Sequence, residues 1–213
     1  GRWAVTTTHD SLARSIQIAR ISLAFGRVNR ATLHEDGERP ETDTDHTVML
    51  GLLACELAPH GLDRAKIAAF ALVHDLVEVY AGDTQTLTIS PDIAAAKRTR
   101  EDAARQRLVA ELGDGSWLAD TMAAYEQQRE PEARFVRLVD KVLPKLTHAF
   151  NECAAAQRLT DWRGFLASHE RQFRQMSQEY PEFPEALELL RSSMLHAERC
   201  WPRDGASGAG GAP

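Results

Sequence analysis

The run Ala68-Ala-Phe-Ala-Leu-Val-His-Asp-Leu-Val-Glu-Val-Tyr-Ala-Gly-Asp83 sets an imidazole and two carboxylates, His74, Asp75 and Glu78, inside an apolar stretch that ends at Gly82-Asp83. At about 100° per residue on a helix, His74 and Glu78 lie about 40° apart, with Asp75 about 60° beyond Glu78, so all three share one face. The other flanks carry Phe70, Leu72, Val73, Val77 and Val79, which makes this a buried central helix rather than an amphipathic surface one. An ionised carboxylate is costly to bury beside an imidazole unless something compensates, and a bound cation is the most economical compensation.

Two further residues could join them. His46 follows the cap-type run Glu41-Thr-Asp-Thr-Asp and falls in the first turn of a helix, and Asp140 interrupts the apolar Phe135-Val-Arg-Leu-Val-Asp-Lys-Val. Taken singly, Asp140 is equally suited to an ion pair with Arg137 or Lys141. Taken together, two imidazoles and two carboxylates form a mixed nitrogen and oxygen set for one divalent ion such as Mn, Co, Fe or Zn, with positions left open for water and substrate. Such an ion lowers the pKa of water and withdraws charge from a phosphoryl oxygen; a nearby carboxylate then accepts the proton, and Arg supplies bidentate charge-assisted bonds. The other His-Asp pair, His9-Asp10, lies at a polar helix start where Asp10 has a capping role, and it is set aside as a site.

The elements that must position these groups read as helices. One is capped by Asp10 and runs from Ser11 to Phe25; the polar segment 27–40 is a loop; a second helix leads from the cap-type run to Leu57; a third, capped by Asp63, runs to about Tyr80. Thr84 to Ser90 is the one β-prone stretch, and it has no visible partner strand, so it reads as an ordered loop. Helices follow over 91–112 and 117–129, then from Pro131 through Pro144 with a kink at that proline, then over 161–180 and 184–200. The expectation is an all-α fold of seven or eight helices in one domain, residues 1–202, with a disordered tail at 203–213.

Composition narrows the function. At 43% hydrophobic and 26% charged, the 213 residues suit one soluble domain, and no apolar run reaches the ~20 residues of a spanning helix. A net charge of −6 argues against a nucleic-acid surface, so phosphate recognition should be local. Cys55, Cys153 and Cys200 lack paired spacing and read as reduced, which with the absence of a signal-peptide layout suggests a cytoplasmic protein that uses no membrane.

The order His46, then His74-Asp75 with Glu78 and Gly82-Asp83, then Asp140 resembles the HD-domain metal-dependent phosphohydrolase superfamily. Its size and the pattern His-Asp-x-x-Glu-x-x-x-Gly-Asp resemble the small branch of bacterial 5′-deoxynucleotidases and phage deoxyadenosine triphosphate triphosphohydrolases. The resemblance implies a helical bundle around a mononuclear site with His46, His74, Asp75 and Asp140 as ligands. Members with two metals place extra histidines between the His-Asp pair and the last Asp, and none stands there in this chain. It implies that Glu78 orients or deprotonates the attacking water and that Asp83 contacts the sugar or assists the leaving oxygen. The family segment Asn-Arg-Trp corresponds to Asn29-Arg30-Ala31, which gives Arg30 the phosphate role and leaves no aromatic at Ala31. Lys97 and Arg98, with Arg100, are candidate contacts for a longer phosphate chain, as are Lys141 and Lys145. The implied activity is hydrolysis of a deoxynucleoside 5′-monophosphate by a small homo-oligomeric enzyme. The alternatives are release of triphosphate from a nucleoside triphosphate, hydrolysis of an unusual biosynthetic nucleotide, and a non-catalytic nucleotide or metal sensor.

Overall fold

A computed structural model describes residues 8–87, 89–113 and 115–201; the tail expected to be disordered lies outside these. Helices dominate. In chain order they are α1 (Thr8–Phe25), α2 (Asp43–Glu56), α3 (Arg64–Val73), α4 (Glu78–Ala81), α5 (Pro91–Leu112), α6 (Trp117–Gln127), α7 (Pro131–Asp140), α8 (Leu143–Phe150), α9 (Ala154–Gln157), α10 (Trp162–Glu179) and α11 (Pro184–Cys200). Between α1 and α2 stands a small antiparallel hairpin, β1 (Asn29–Leu33) and β2 (Pro40–Thr42). The core gathers Leu50 and Ala54 of α2, Ile67, Phe70 and Val73 of α3, and Phe135, Val136, Leu138 and Val139 of α7. Helix α3 packs against α2, α6 and α7, so the buried stretch picked out by its apolar flanks is indeed the central one.

The start of α2 is set by local chemistry. The Thr42 hydroxyl accepts from the Asp45 amide while the Asp45 carboxylate accepts from the Thr42 amide, a reciprocal cap that satisfies two orphan donors and fixes where the helix begins. His46 follows directly on that cap and is fully buried. We expect Thr42→Ala to lower stability by about 1 kcal/mol, or about 2–4 °C in melting temperature by calorimetry.

Three features depart from the sequence expectation. The loop predicted over 27–40 contains the hairpin. Its strands are short and lack alternating apolar residues, and the pairing is held instead by polar contacts: Asp36 accepts from the Glu38 and Arg39 amides in the turn, and Asn151 donates to the Leu33 and His34 carbonyls. The helix expected to run to Tyr80 breaks after Val73. Residues 74–77 form a tightened turn, with the Leu76 amide on the Val73 carbonyl and the Glu78 amide on the Asp75 carbonyl, and a short helix resumes at Glu78. Finally, the chain does not kink at Pro144. It stops at Asp140 and restarts at Leu143, because a proline fits the first turn of a new helix, where its missing N–H leaves no bond unmade.

Candidate metal centre

The four expected ligands come together. His46 from α2, His74 and Asp75 from the turn after α3, and Asp140 from the last residue of α7 each offer a ligand atom, and these atoms all lie within 4.8 Å of one another. His46 Nε2 is 2.8 Å from Asp140 Oδ1, and His74 Nε2 is 3.0 Å from Asp75 Oδ2 and 3.8 Å from Asp140 Oδ1. His74 keeps helical backbone, φ −56° and ψ −40°, so it and Asp75 leave the chain about 100° apart and meet only at their tips, His74 Nε2 on Asp75 Oδ2 at 3.0 Å.

The cluster fits a divalent ion. His74 donates from Nδ1 to the Ala71 carbonyl at 2.8 Å, which leaves the lone pair on Nε2. That Nε2 is buried without a hydrogen-bond partner although two carboxylates stand within 4 Å, so its lone pair is available to a cation. Charge points the same way. Glu41, Asp43, Asp75, Glu78, Asp83 and Asp140 gather around Arg30, Lys97, Lys141 and Lys145, more acidic than basic groups in a half-buried space. Burial works against ionising Asp75 and Asp140, yet His74 and Arg30 beside the first, and Lys141 and His46 beside the second, hold both carboxyls well below the usual range. Burial holds the His46 imidazole below its ordinary value, suited to a neutral ligand; at His74 burial again lowers it, but Asp75, Asp140 and the Ala71 carbonyl together raise it.

Glu78 sits at the start of α4, where its carboxyl is 2% exposed and its Oε2 has no partner. Burial, with Asp75, Asp43 and Asp83 nearby, pushes this carboxyl up to about 10, so it is a strong proton acceptor once ionised. Gly82, at φ 71°, ends α4 in a conformation that favours glycine and turns Asp83 back toward β1. Asp83 Oδ2 accepts from the Ala31 amide at 3.1 Å, clamping the residue next to Arg30. Arg30, which lines the cleft, donates from one terminal nitrogen to Asp43 Oδ1 at 3.0 Å and Asp75 Oδ2 at 2.8 Å, while its Nε is buried without a partner 4.0 Å from Glu41.

The remaining candidates divide. Lys97 lines the cleft, with its ammonium 3.4 Å from Glu78 and 3.2 Å from Glu101. Arg98, one residue on, is exposed and outside the cleft lining, and Arg100 is exposed and donates to the Thr84 hydroxyl. Lys141 pairs with Asp140 at 2.6 Å, and Lys145 is buried in the cleft wall. Asp43 and Glu41, which grip Arg30, escaped the sequence reading because a cap-type run explained them; three acidic residues in five exceed what one cap needs, and that was the available signal.

The HD domain family matches residues 26–181, a span that holds every one of these groups, and the chain belongs to that family. It is similar to the 5′-deoxynucleotidase HDDC2 of Homo sapiens, 29% identical over 133 residues that make up 61% of this chain and 64% of that protein. With the Danio rerio protein of the same name it shares 28% over 167 residues, 76% of each chain. The aligned stretch thus covers slightly under two thirds of the human relative. The fold is similar to the crystal structure of a predicted metal-dependent phosphohydrolase from Magnetospirillum magnetotacticum MS-1, at a TM-score of 0.69 and 22% identity, covering 90% of this chain and 98% of that one.

Binding that ion should stabilise the fold, since the unfolded chain cannot assemble ligands from three helices. With free ion at a hundredfold its dissociation constant, the linkage amounts to about 2.7 kcal/mol. Chelation is therefore expected to lower the melting temperature by about 5–11 °C for a chain of this size, measured by calorimetry with and without a chelator.

Proposed function

We propose that this chain is a metal-dependent phosphohydrolase that converts deoxynucleoside 5′-monophosphates to deoxynucleosides and phosphate. The observation that carries the reading is the convergence of His46, His74, Asp75 and Asp140 beside Glu78 and Arg30 on one cleft. The relatives named 5′-deoxynucleotidase support the substrate class. Held by those four ligands, a Mn, Co, Fe or Zn ion would polarise a phosphoryl oxygen and acidify water.

The protein's own groups do the rest. Arg30 binds the phosphate with the donors that Asp43 and Asp75 leave open, and those two carboxylates hold its guanidinium in place. Glu78 takes a proton from the attacking water as its oxygen bonds phosphorus and the bond from phosphorus to the sugar oxygen breaks. Asp83 lies on the cleft wall, where it contacts the sugar and stands by the departing oxygen, which takes up the proton that Glu78 removed from water and leaves as the nucleoside hydroxyl. Lys97 bears on Glu78 more than on substrate, because two carboxylates already share its charge. Lys141 is similarly engaged by Asp140, whereas Arg30 spends one nitrogen of its guanidinium on Asp43 and Asp75 and keeps further N–H donors, so Arg30 is the principal phosphate donor, which suits a single phosphate better than three.

The same reading takes residues 1–202 as one domain, in an oligomer of identical chains, with Val48 and Leu52 exposed at i, i+4 on α2 as apolar surface for self-association. It places the protein in the cytoplasm, where free Cys55, Cys153 and Cys200 stay reduced. Among the described residues no helix is long and apolar enough to cross a membrane.

Incubating the protein with a panel of deoxy- and ribonucleotides plus Mn or Co, and identifying the released phosphorus species, tests the reading. Orthophosphate from deoxynucleoside monophosphates is expected. Triphosphate released from nucleoside triphosphates would replace the substrate assignment, and no release from any nucleotide would favour a sensor.

A further inference from the structure

Beyond the ligand cluster the cleft continues along α8, and its far end is built differently. Lys145 and His148 of α8 face Ser168 and Gln172 of α10 across it, and Leu87 and Leu159 add apolar surface. Lys145 and His148 follow the candidate ligand Asp140 by five and eight residues, on the helix that restarts at Leu143, and they line the same cleft as Arg30 and Asp83.

Several polar atoms here lack partners. Lys145 is 5% exposed and forms no ion pair among the described residues; burial and the neighbouring Lys141 push it down to about 8 against the pull of Asp140. Gln172 Oε1 and His148 Nδ1 are buried and unbonded, and behind them His169 is fully buried with neither ring nitrogen bonded. Folded proteins leave few such atoms, each at a cost of about 1–3 kcal/mol. Ser168 is already committed: its hydroxyl donates to the Leu87 carbonyl at 2.9 Å and ties α10 to the loop that closes this wall.

We propose that this end of the cleft is the nucleobase subsite, in which Lys145 and Gln172 hydrogen-bond the edge of the base while the phosphate lies at Arg30. A second phosphate fits the wall poorly. Burial and Lys145 push His148 down to about 3, and burial pushes His169 down to about 2, so neither ring adds positive charge for an anion, and Gln172 is neutral. One cation among neutral donors and acceptors matches a base, which offers both on one planar edge. The inference rests on the nucleotide reading above and names how its substrate is held.

The test compares a deoxynucleoside 5′-monophosphate with deoxyribose 5-phosphate, which lacks the base, in the full-length metal-loaded protein and in Lys145→Met and Gln172→Leu, both of which keep side-chain volume. The ratio of kcat/KM for the two substrates is expected to fall about tenfold in each variant. Calorimetric Kd for the nucleotide should weaken by the same factor. An equal fall on both substrates, the signature of a phosphate or structural role, would overturn the proposal, as would an unchanged ratio. Base-dependent binding by a wild type that hydrolyses nothing would retain the subsite and remove the enzymatic reading; turnover with no base dependence would do the reverse.

Discussion

Glu78→Gln should reduce turnover of a deoxynucleoside 5′-monophosphate by about 10²–10⁴-fold while the protein still binds one divalent ion. Glutamine keeps the shape and the neighbours of Glu78 but cannot take a proton. Because Glu78 is outside the set of four convergent ligands, the ion should remain. The carboxyl is surrounded by Asp75, Asp43 and Asp83, which together with burial make it strongly basic, and by a single cation, Lys97, at 3.4 Å. Positive charge from a bound ion draws that basicity back toward the neutral range, where a general base is most effective. Steady-state rates with Mn, read beside metal content by mass spectrometry, decide the matter. Full turnover in the variant would remove the proton-acceptor role, and loss of the ion would make Glu78 a ligand.

Arg30→Met should lower kcat/KM by about 10²–10³-fold, the loss typical of one preorganised donor to a developing phosphoryl charge. It should also destabilise the fold, and the two effects are separable. Asp43 is fully buried, and the only cation it touches among the described residues is Arg30, at 3.0 Å. Burial and Asp75 already push its carboxyl up to about 6 against the pull of Arg30. Removing the guanidinium strands that charge, at about 3–5 kcal/mol if it stays ionised. The double variant Arg30→Met, Asp43→Asn removes both charges and is expected to recover most of the lost melting temperature but none of the lost activity. Recovery of activity in the double variant would make Arg30 a structural residue rather than a phosphate donor.

Three of the four candidate metal ligands were legible in the sequence because they contradict their surroundings. His74, Asp75 and Asp140 are polar groups in apolar runs, and Glu78 recurs one turn after His74. The break at residues 74–77 was not legible, since Val73, Leu76, Val77 and Val79 are compatible with a continuous helix and no Gly or Pro there marks the change in hydrogen bonding. The hairpin that carries Arg30 was hidden for the opposite reason: its stability comes from Asn151, Asp36 and Asp83, all distant from or outside the strands, and a local pattern cannot report them. The far wall of the cleft was equally silent. Lys145 and Gln172 are 27 residues apart in sequence, on helices whose periodicity says which residues are buried but not which helices face each other across a cleft.

Anomalous diffraction from crystals grown with Mn, collected at the manganese edge, tests the central claim most directly. A single strong peak within bonding distance, about 2.0–2.3 Å, of His46, His74, Asp75 and Asp140 is the predicted result. A peak elsewhere, or none at saturating Mn with His46 and Asp140 still in direct contact, would contradict it.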